Sequence, residues 1–270
     1  MATTTQYAPP HVRRMGAVNW RGLWTLYVRE VQRFLKVGMQ TVAAPVVTTL
    51  LFLAIFLLAM GGQQRTIHNI PFLAFLAPGL IMMAMVQNAF ANTTSSLMIA
   101  KFQGNIVDLL MPPLSPMELT LGLSFGGVTR GLVVGAVVAA AMAVVVPIHI
   151  VHPVLMLFHA VAASLLLSVL GVIGAIWADK FDHIAAVTNF VVTPLSFLSG
   201  TFYSIQQLPP AWQTVAFVNP FFYMIDGFRY SFIGQADGSV AAGVVIMIVL
   251  DAALLAICHA LIACGWKLKA

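Results

Sequence analysis

The chain has 270 residues, 60% of them hydrophobic and only 8% charged, with a formal net charge of +5. Soluble domains carry about one quarter charged residues, and disordered chains are poor in apolar residues, so an ordinary soluble enzyme and a disordered protein are both excluded. A polytopic membrane protein remains, with room for about five to seven spans of ~20 residues each.

Residues 1–18 read as a flexible cytoplasmic tail. No short apolar run with a small-residue cleavage site follows in the first 40 residues. Instead Arg13, Arg14, Arg21, Arg29, Arg33 and Lys36 precede the first apolar stretch, which places the N-terminus in the cytoplasm. Within residues 19–37, Trp20, Leu23, Trp24, Tyr27, Val31, Phe34 and Leu35 share one helical side, opposite Arg21, Thr25, Arg29, Gln32, Arg33 and Lys36. The pattern predicts an amphipathic helix lying flat on the inner membrane surface, apolar face in lipid and charged face exposed. It serves as a topology anchor, as a platform for a cytoplasmic partner, or as both.

Residues 38–270 form one all-α membrane domain. Charge-free stretches predict six spans at about 42–60, 72–98, 122–146, 154–178, 183–199 and 239–266. Residues 131–178 carry no formal charge, yet are too long for one span, and Pro147 and Pro153 divide them. Ten basic residues then fall on the N-terminal side, against Arg65 and Arg229 on the other, which predicts both termini inside. Pro45, Pro78 and Pro194 predict kinks within spans. Gly122, Gly126, Gly127, Gly131 and Gly135 make a small-residue ladder along the third span, suited to close helix packing or to a pathway wall.

Two connections carry a pattern of their own. Residues 101–111 predict a short inner helix with Ile106, Leu109 and Leu110 on one face, stopped by Pro112-Pro113. Such a helix suits insertion into a groove of another protein, or serves as a plain turn. Residues 200–234 are too apolar for an aqueous loop, and ten of the chain's 28 aromatics lie between Phe202 and Phe232. Pro209-Pro210 and Asn219-Pro220 predict two short re-entrant helices on the outer side, with Asn219 as N-cap.

Individual residues add candidates. Asp251 falls mid-span, where an ionisable side chain is costly and marks a functional site or a hydrogen-bonded core position. Arg130 reads as lying toward the inner end of the third span, able to snorkel. Gln87, Asn88, Asn92, Thr93, Thr94, Ser95 and Ser96 form a polar stretch that must face protein or a wet path, with Gln87 and Asn88 the preferred pathway residues. His149, His152 and His159 have ligand-like spacing, but Pro153 interrupts them and no carboxylate or cysteine is near, so no metal is expected. Cys258 and Cys264 lie on different faces of one helix and form no disulfide with each other.

Three stretches resemble a known family: FLAPGLIMMAMVQNAFANTTSS at 75–96, AKFQGNIVDLLMPPLSP at 100–116 and LSGTFYSIQQLPPAWQTVAFVNPFFYMIDGFRY at 198–230. The chain resembles the permease subunit of ABC-2 type transporters, in the branch of drug, nodulation-factor and polysaccharide exporters. The resemblance implies an interface helix at Arg21, Arg29, Glu30 and Arg33. It implies a coupling helix that enters the ATPase at Gly104, Asn105, Ile106, Val107, Asp108, Leu109 and Leu110. It also implies an outer gate built from Phe202, Tyr203, Pro209, Pro210, Trp212, Asn219, Pro220, Tyr223 and Arg229. Many members carry Glu where Val107 stands; here the acid is Asp108.

The implied assembly pairs two permease chains with two P-loop ATPase chains in a bacterial inner membrane, exporting an amphipathic lipid, lipid-linked glycan or drug. ATP and Mg²⁺ would sit on the ATPase, because no G-x-x-x-x-G-K-[ST] loop occurs in this sequence. No catalytic residue, no cofactor in this chain and no nucleic acid are expected. Two other readings stay open: a proton-coupled secondary transporter using Asp251, and a non-transporting membrane enzyme or scaffold.

Overall fold

The computed structural model describes residues 16–59, 66–67 and 70–268. Arg13, Arg14, Arg65 and Lys269 lie outside them, and with them part of the charge count behind the predicted orientation. Among the described residues, six helical segments are long and apolar enough to cross a membrane: 39–58, 72–102, 116–143, 153–177, 181–198 and 240–264.

The chain opens with α1 (Trp20–Lys36), capped by Asn19, whose side chain accepts from the Gly22 amide. A π-helical turn (Met39–Ala43) leads into α2 (Ala44–Ala59). A two-residue antiparallel ladder, β1 (Thr66–Ile67) with β2 (Ile70–Pro71), precedes α3 (Phe72–Phe102). α3 is the central post, packed on both α5 (Pro116–Ala143) and α6 (Pro153–Trp177) and buried along most of its length. Between α3 and α5 sits the five-residue α4 (Ile106–Leu110).

The fifth span is built in three pieces: α7 (Phe181–Val187), a π turn (Thr188–Val192) and α8 (Thr193–Leu198). A 3₁₀ turn (Ile205–Gln207), α9 (Pro210–Val218) and α10 (Pro220–Ile233) follow, then α11 (Val240–Cys264). The main core gathers Leu76, Met82 and Ala89 of α3 with Val134 of α5, Ala163 and Leu167 of α6, and Met224 of α10.

Several boundaries differ from the sequence expectation. α5 starts six residues earlier than residue 122, because Ser115 and Glu118 form a capping box with Pro116 at the first helical position. The short inner helix expected at 101–111 is shorter: α3 runs on to Phe102, Gly104 takes a left-handed φ of 71°, and Gly104 and Asn105 belong to the turn. Two of the three proline sites are π turns rather than simple kinks. Pro45 and Pro194 each lack the amide that would close the preceding helical turn, and each stands just after a widened turn that absorbs the mismatch. The helix continues through Pro78.

The glycine ladder resolves into packing. Gly122 faces Leu26 of α1, Gly127 faces the Ala89 carbonyl of α3 and Ser168 of α6, and Gly131 faces the Met85 carbonyl and Ser164. The buried stripe of α1 is Leu26, Glu30 and Phe34, pressed on α5, while Trp20 and Trp24 stay exposed. The close approach of Gly122 and Gly126 turns the helix so that Leu26 and the Glu30 stem fill the groove.

Candidate functional site

Three regions hold the residues singled out from the sequence. The first is the end of the bundle that carries α4. There Glu118 accepts from the Asn19 amide at 2.5 Å and from the Ser115 amide at 2.6 Å. One carboxylate therefore joins the N-termini of α1 and α5, where it also meets the positive ends of both helix dipoles. Asn19 Nδ2 donates to the Pro113 carbonyl at 3.1 Å, so the connection that follows α4 is tied to α1 a second time. Within α4, Ile106 and Leu109 are buried against α3 and α6 residues, while Val107 and Asp108 point outward with Met111 behind them. Gly104 and Asn105 are exposed, and Leu110 is half-buried.

Lys101, just before α4, donates to the carbonyls of Ala175, Ile176 and Ala178 at 3.1, 3.0 and 2.6 Å. It closes the C-terminal end of α6, the end where orphan carbonyls and the helix dipole favour a cation. Spacing alone does not reveal this role, because a single lysine after a span reads as a topology residue.

The second region joins α1, α3 and α5. Glu30 is fully buried and meets Arg29 Nη2 at 2.9 Å, Arg33 Nε at 3.3 Å and the Ser96 hydroxyl at 2.9 Å. Arg33 donates onward to Asn92 Oδ1 and Ser95 Oγ at 2.9 and 3.0 Å. Of the predicted interface residues, Arg21 and Arg29 remain exposed, but Glu30 and Arg33 face inward. The charged side of α1 is thus partly consumed by α3, contrary to the expectation that it stays in water.

Arg130 corrects another expectation. With α5 starting at Pro116, Arg130 stands 14 residues inside the helix, about 21 Å along it, and does not snorkel. Its Nη2 donates to Asn88 Oδ1 at 2.9 Å. Asn88 and Gln87 lie on the α3 face between two clefts of about 720 and 420 Å³, the first bounded by α1, α2, α3 and α5, the second by α3 and the fifth span. Thr93 instead donates to the Ser168 carbonyl on α6 at 2.8 Å. The polar stretch therefore divides: Asn92, Thr93, Ser95 and Ser96 bind neighbouring helices, Asn88 is buried in the cleft wall and held by Arg130 of α5, and the half-buried Gln87 lines both clefts.

The third region is the α9–α10 end. Asn219 caps α10 by accepting from Phe221 N at 3.0 Å, and its Nδ2 donates to Ser199 Oγ at 2.8 Å and the Leu195 carbonyl at 3.1 Å. Pro209 and Pro210 start α9, Pro220 starts α10, and Trp212 is exposed. The Tyr203 and Tyr223 hydroxyls donate to the Leu198 and Phe217 carbonyls. Phe202 stacks on Phe56 of α2 at 5.5 Å. Arg229, buried at 2% exposure, donates to the Gly200 and Phe75 carbonyls at 2.5 and 3.2 Å and lies 3.9 Å over the Phe75 ring. Sequence reading missed two further ties. Asp226 accepts from the Asp237 and Gly238 amides at 2.9 Å, and Asp237 accepts from Ser204 and Ile205.

The remaining candidates do not assemble. His159 is buried beneath Gly227, His152 stacks on Tyr230, and His149 lines a small apolar cavity. Among the described residues no group of three His, Cys, Asp or Glu side chains is placed to hold a metal. Asp251 is buried on α11 with its Oδ1 unpartnered. Cys258 and Cys264 are both free thiols.

The family profile "ABC-2 type transporter" matches residues 21–233. This chain belongs to the ABC-2 type transporter family. "Inner membrane transport permease YadH" of Escherichia coli (strain K12) is 38% identical over 250 residues, covering 93% of this chain and 98% of that protein. "Nodulation protein J" of Rhizobium leguminosarum bv. trifolii is 26% identical over 253 residues, covering 89% and 94%. The same-named protein of R. leguminosarum bv. viciae is 23% identical over 226 residues, covering 83% and 86%. The chain is a multi-pass inner membrane protein and a transporter permease subunit, and membership of this family implies an ATPase partner in a transporter complex.

Proposed function

We propose that this permease couples ATP hydrolysis by a separate P-loop ATPase to the export of an amphipathic substrate, a lipid, lipid-linked glycan or drug-like molecule. The observation that carries the reading is the joint at Glu118. α1 and the α4–α5 connection share one carboxylate, and α4 presents Val107 and Asp108 outward from two buried anchors. Force applied to α4 by a moving ATPase would reach α1 and α5 together. The complex holds two copies of this chain and two ATPase subunits, with ATP and Mg²⁺ bound on the latter, and both chain termini face the cytoplasm.

In this reading α1 and residues 104–110 are the ATPase-facing surface, and Gln87 and Asn88 line the path. The α9–α10 cap is the outer gate. Its dense ties through Arg229, Asn219 and Asp226 suit a gate that moves as one body.

Affinity purification of the tagged chain from its native membranes tests the coupling. A P-loop ATPase is expected to copurify with the wild type. The double change Val107→Arg, Asp108→Arg is expected to release it while leaving membrane yield unchanged, because both side chains are exposed. Absence of any ATPase from the wild-type complex, with substrate flux indifferent to ATP, would overturn the proposal.

A further inference from the structure

The larger of the two clefts beside Gln87 and Asn88 has a composition that goes beyond a generic passage. It measures about 720 Å³ and is bounded by α1, α2, α3 and α5. Arg33 and Arg130 both line it, together with Gln87 and Ser95, and no acidic residue does. Its apolar walls include Phe52 and Met83.

The charges around it do not balance. Glu30 is shared between Arg29 and Arg33, so two guanidinium groups draw on one carboxylate. Arg130 forms no ion pair with a carboxylate among the described residues. It has the Asn88 amide oxygen, and its buried Nε is without a partner. A cation inside a membrane-spanning helix is costly unless something anionic or strongly hydrogen-bonding faces it. A guanidinium presents a planar fork that fits phosphate and carboxylate oxygens in pairs.

We infer that this cleft receives the phosphate or carboxylate head group of an acidic amphiphile, held by Arg130 and Arg33, with its hydrocarbon tail along α2. The amphiphile is favoured over a free anion because the cleft pairs its two arginines with apolar walls from Phe34, Phe52, Leu80 and Met83, and the adjoining face of α2 exposes Val47, Leu51, Ile55 and Leu58 for the rest of an acyl chain. Ser95 and Gln87 add a hydroxyl and an amide for the remaining head-group oxygens. The inference deepens the permease reading and rests on it only for the meaning of the cleft as a substrate site. Binding is measured on the permease alone, so loss of ATPase coupling and loss of lipid binding are separate failures.

The test titrates full-length permease in neutral detergent with phosphatidic acid and phosphatidylcholine carrying the same fluorescent tail. Phosphatidic acid is expected to bind at least about tenfold more tightly, the scale of a desolvated charge-assisted contact. Arg130→Gln is expected to weaken phosphatidic acid binding about tenfold or more, with Arg130→Lys intermediate. Lys180→Gln, an exposed charge outside the cleft, is expected to leave it unchanged. If Arg130→Gln fails to fold, Thr48→Trp serves instead: Thr48 is an exposed residue lining the cleft, and the indole is expected to block lipid entry without altering charge. Equal affinity for the two lipids, or undiminished phosphatidic acid binding in the folded variants, overturns the inference. Competition by glycerol 3-phosphate at the concentration of the lipid itself would assign the site to a free phosphate and overturn it as well.

Discussion

At the scale of single residues, two buried ionic side chains act as joints. Glu118 accepts two amides, from Asn19 and Ser115, in a setting that leaves it 6% exposed. Glu118→Gln keeps the shape but turns one acceptor into a donor that faces an N–H. The expected loss is about 1.5–3 kcal/mol of stability, the range for hydrogen bonds to a charged group, read as a lower Tm of the purified chain. A wild-type Tm in this variant would remove Glu118 from the proposed joint. Arg229 is the counterpart at the other end. Arg229→Met fills a similar volume and leaves the buried Gly200 carbonyl without its donor, at roughly 1–3 kcal/mol for the orphaned group, while the Phe75 carbonyl keeps its partner within α3. Thermal melting checks this too, and a cost near zero would mean that water replaces the guanidinium. Neither joint was legible from the sequence as such. Glu118 read as part of a loop, and Arg229 read as a gate residue without its partners, because both depend on contacts across roughly 99 and 154 residues of chain.

At the scale of elements, spacing was informative wherever chemistry is local. Charge-free windows located all six apolar helices, and Pro209-Pro210 and Asn219-Pro220 located the starts of α9 and α10. What spacing missed was how one helix meets another: α1 packs Glu30 together with Leu26 and Phe34 on α5, and Arg130 sits deep because a capping box lengthens α5. The glycine ladder was legible as close packing, but its partners were not. Those partners now separate two glycines of similar appearance. A Cβ at Gly127 would lie 2.9 Å from the Ala89 carbonyl oxygen, which is backbone and cannot step aside. Gly174 on α6 has only Ile184 Cδ1 near, at 3.7 Å. Gly127→Ala is expected to cost about 1–3 kcal/mol by forcing α3 and α5 apart, while Gly174→Ala is expected to be neutral or stabilising by up to ~1 kcal/mol through helix propensity. Melting curves of the two variants decide it, and equal shifts would sink the packing account.

At the scale of the whole molecule, the bundle is unevenly tied. α3, α5, α6 and α10 share the core, whereas α2 and the fifth span are largely exposed along their lengths. The end that carries α4 is fastened through the last turn of α6, which receives Lys101 from α3 on three carbonyls and Lys267 from beyond α11 on the Trp177 carbonyl at 3.0 Å. Lys267 also pairs with Asp179 at 2.7 Å. The hydrogen bond from Lys267 holds the Asp179 carboxyl below its ordinary value of 3.8. A carboxyl lowered in the folded state favours folding above its unfolded pKa, and that contribution fades as pH falls through the lowered one. The clasp is therefore intact at neutral pH and opens below about pH 3.8. Lys267→Met removes the clasp at every pH. Its Tm is expected to fall below wild type at pH 7, and the gap is expected to narrow as the pH is taken under 3.8, leaving only the share of the Trp177 carbonyl contact. The pair is solvent-exposed, so raising the salt concentration at pH 7 should narrow the same gap. A difference that persisted unchanged in acid would assign the effect to the Trp177 carbonyl contact and take Asp179 out of the clasp.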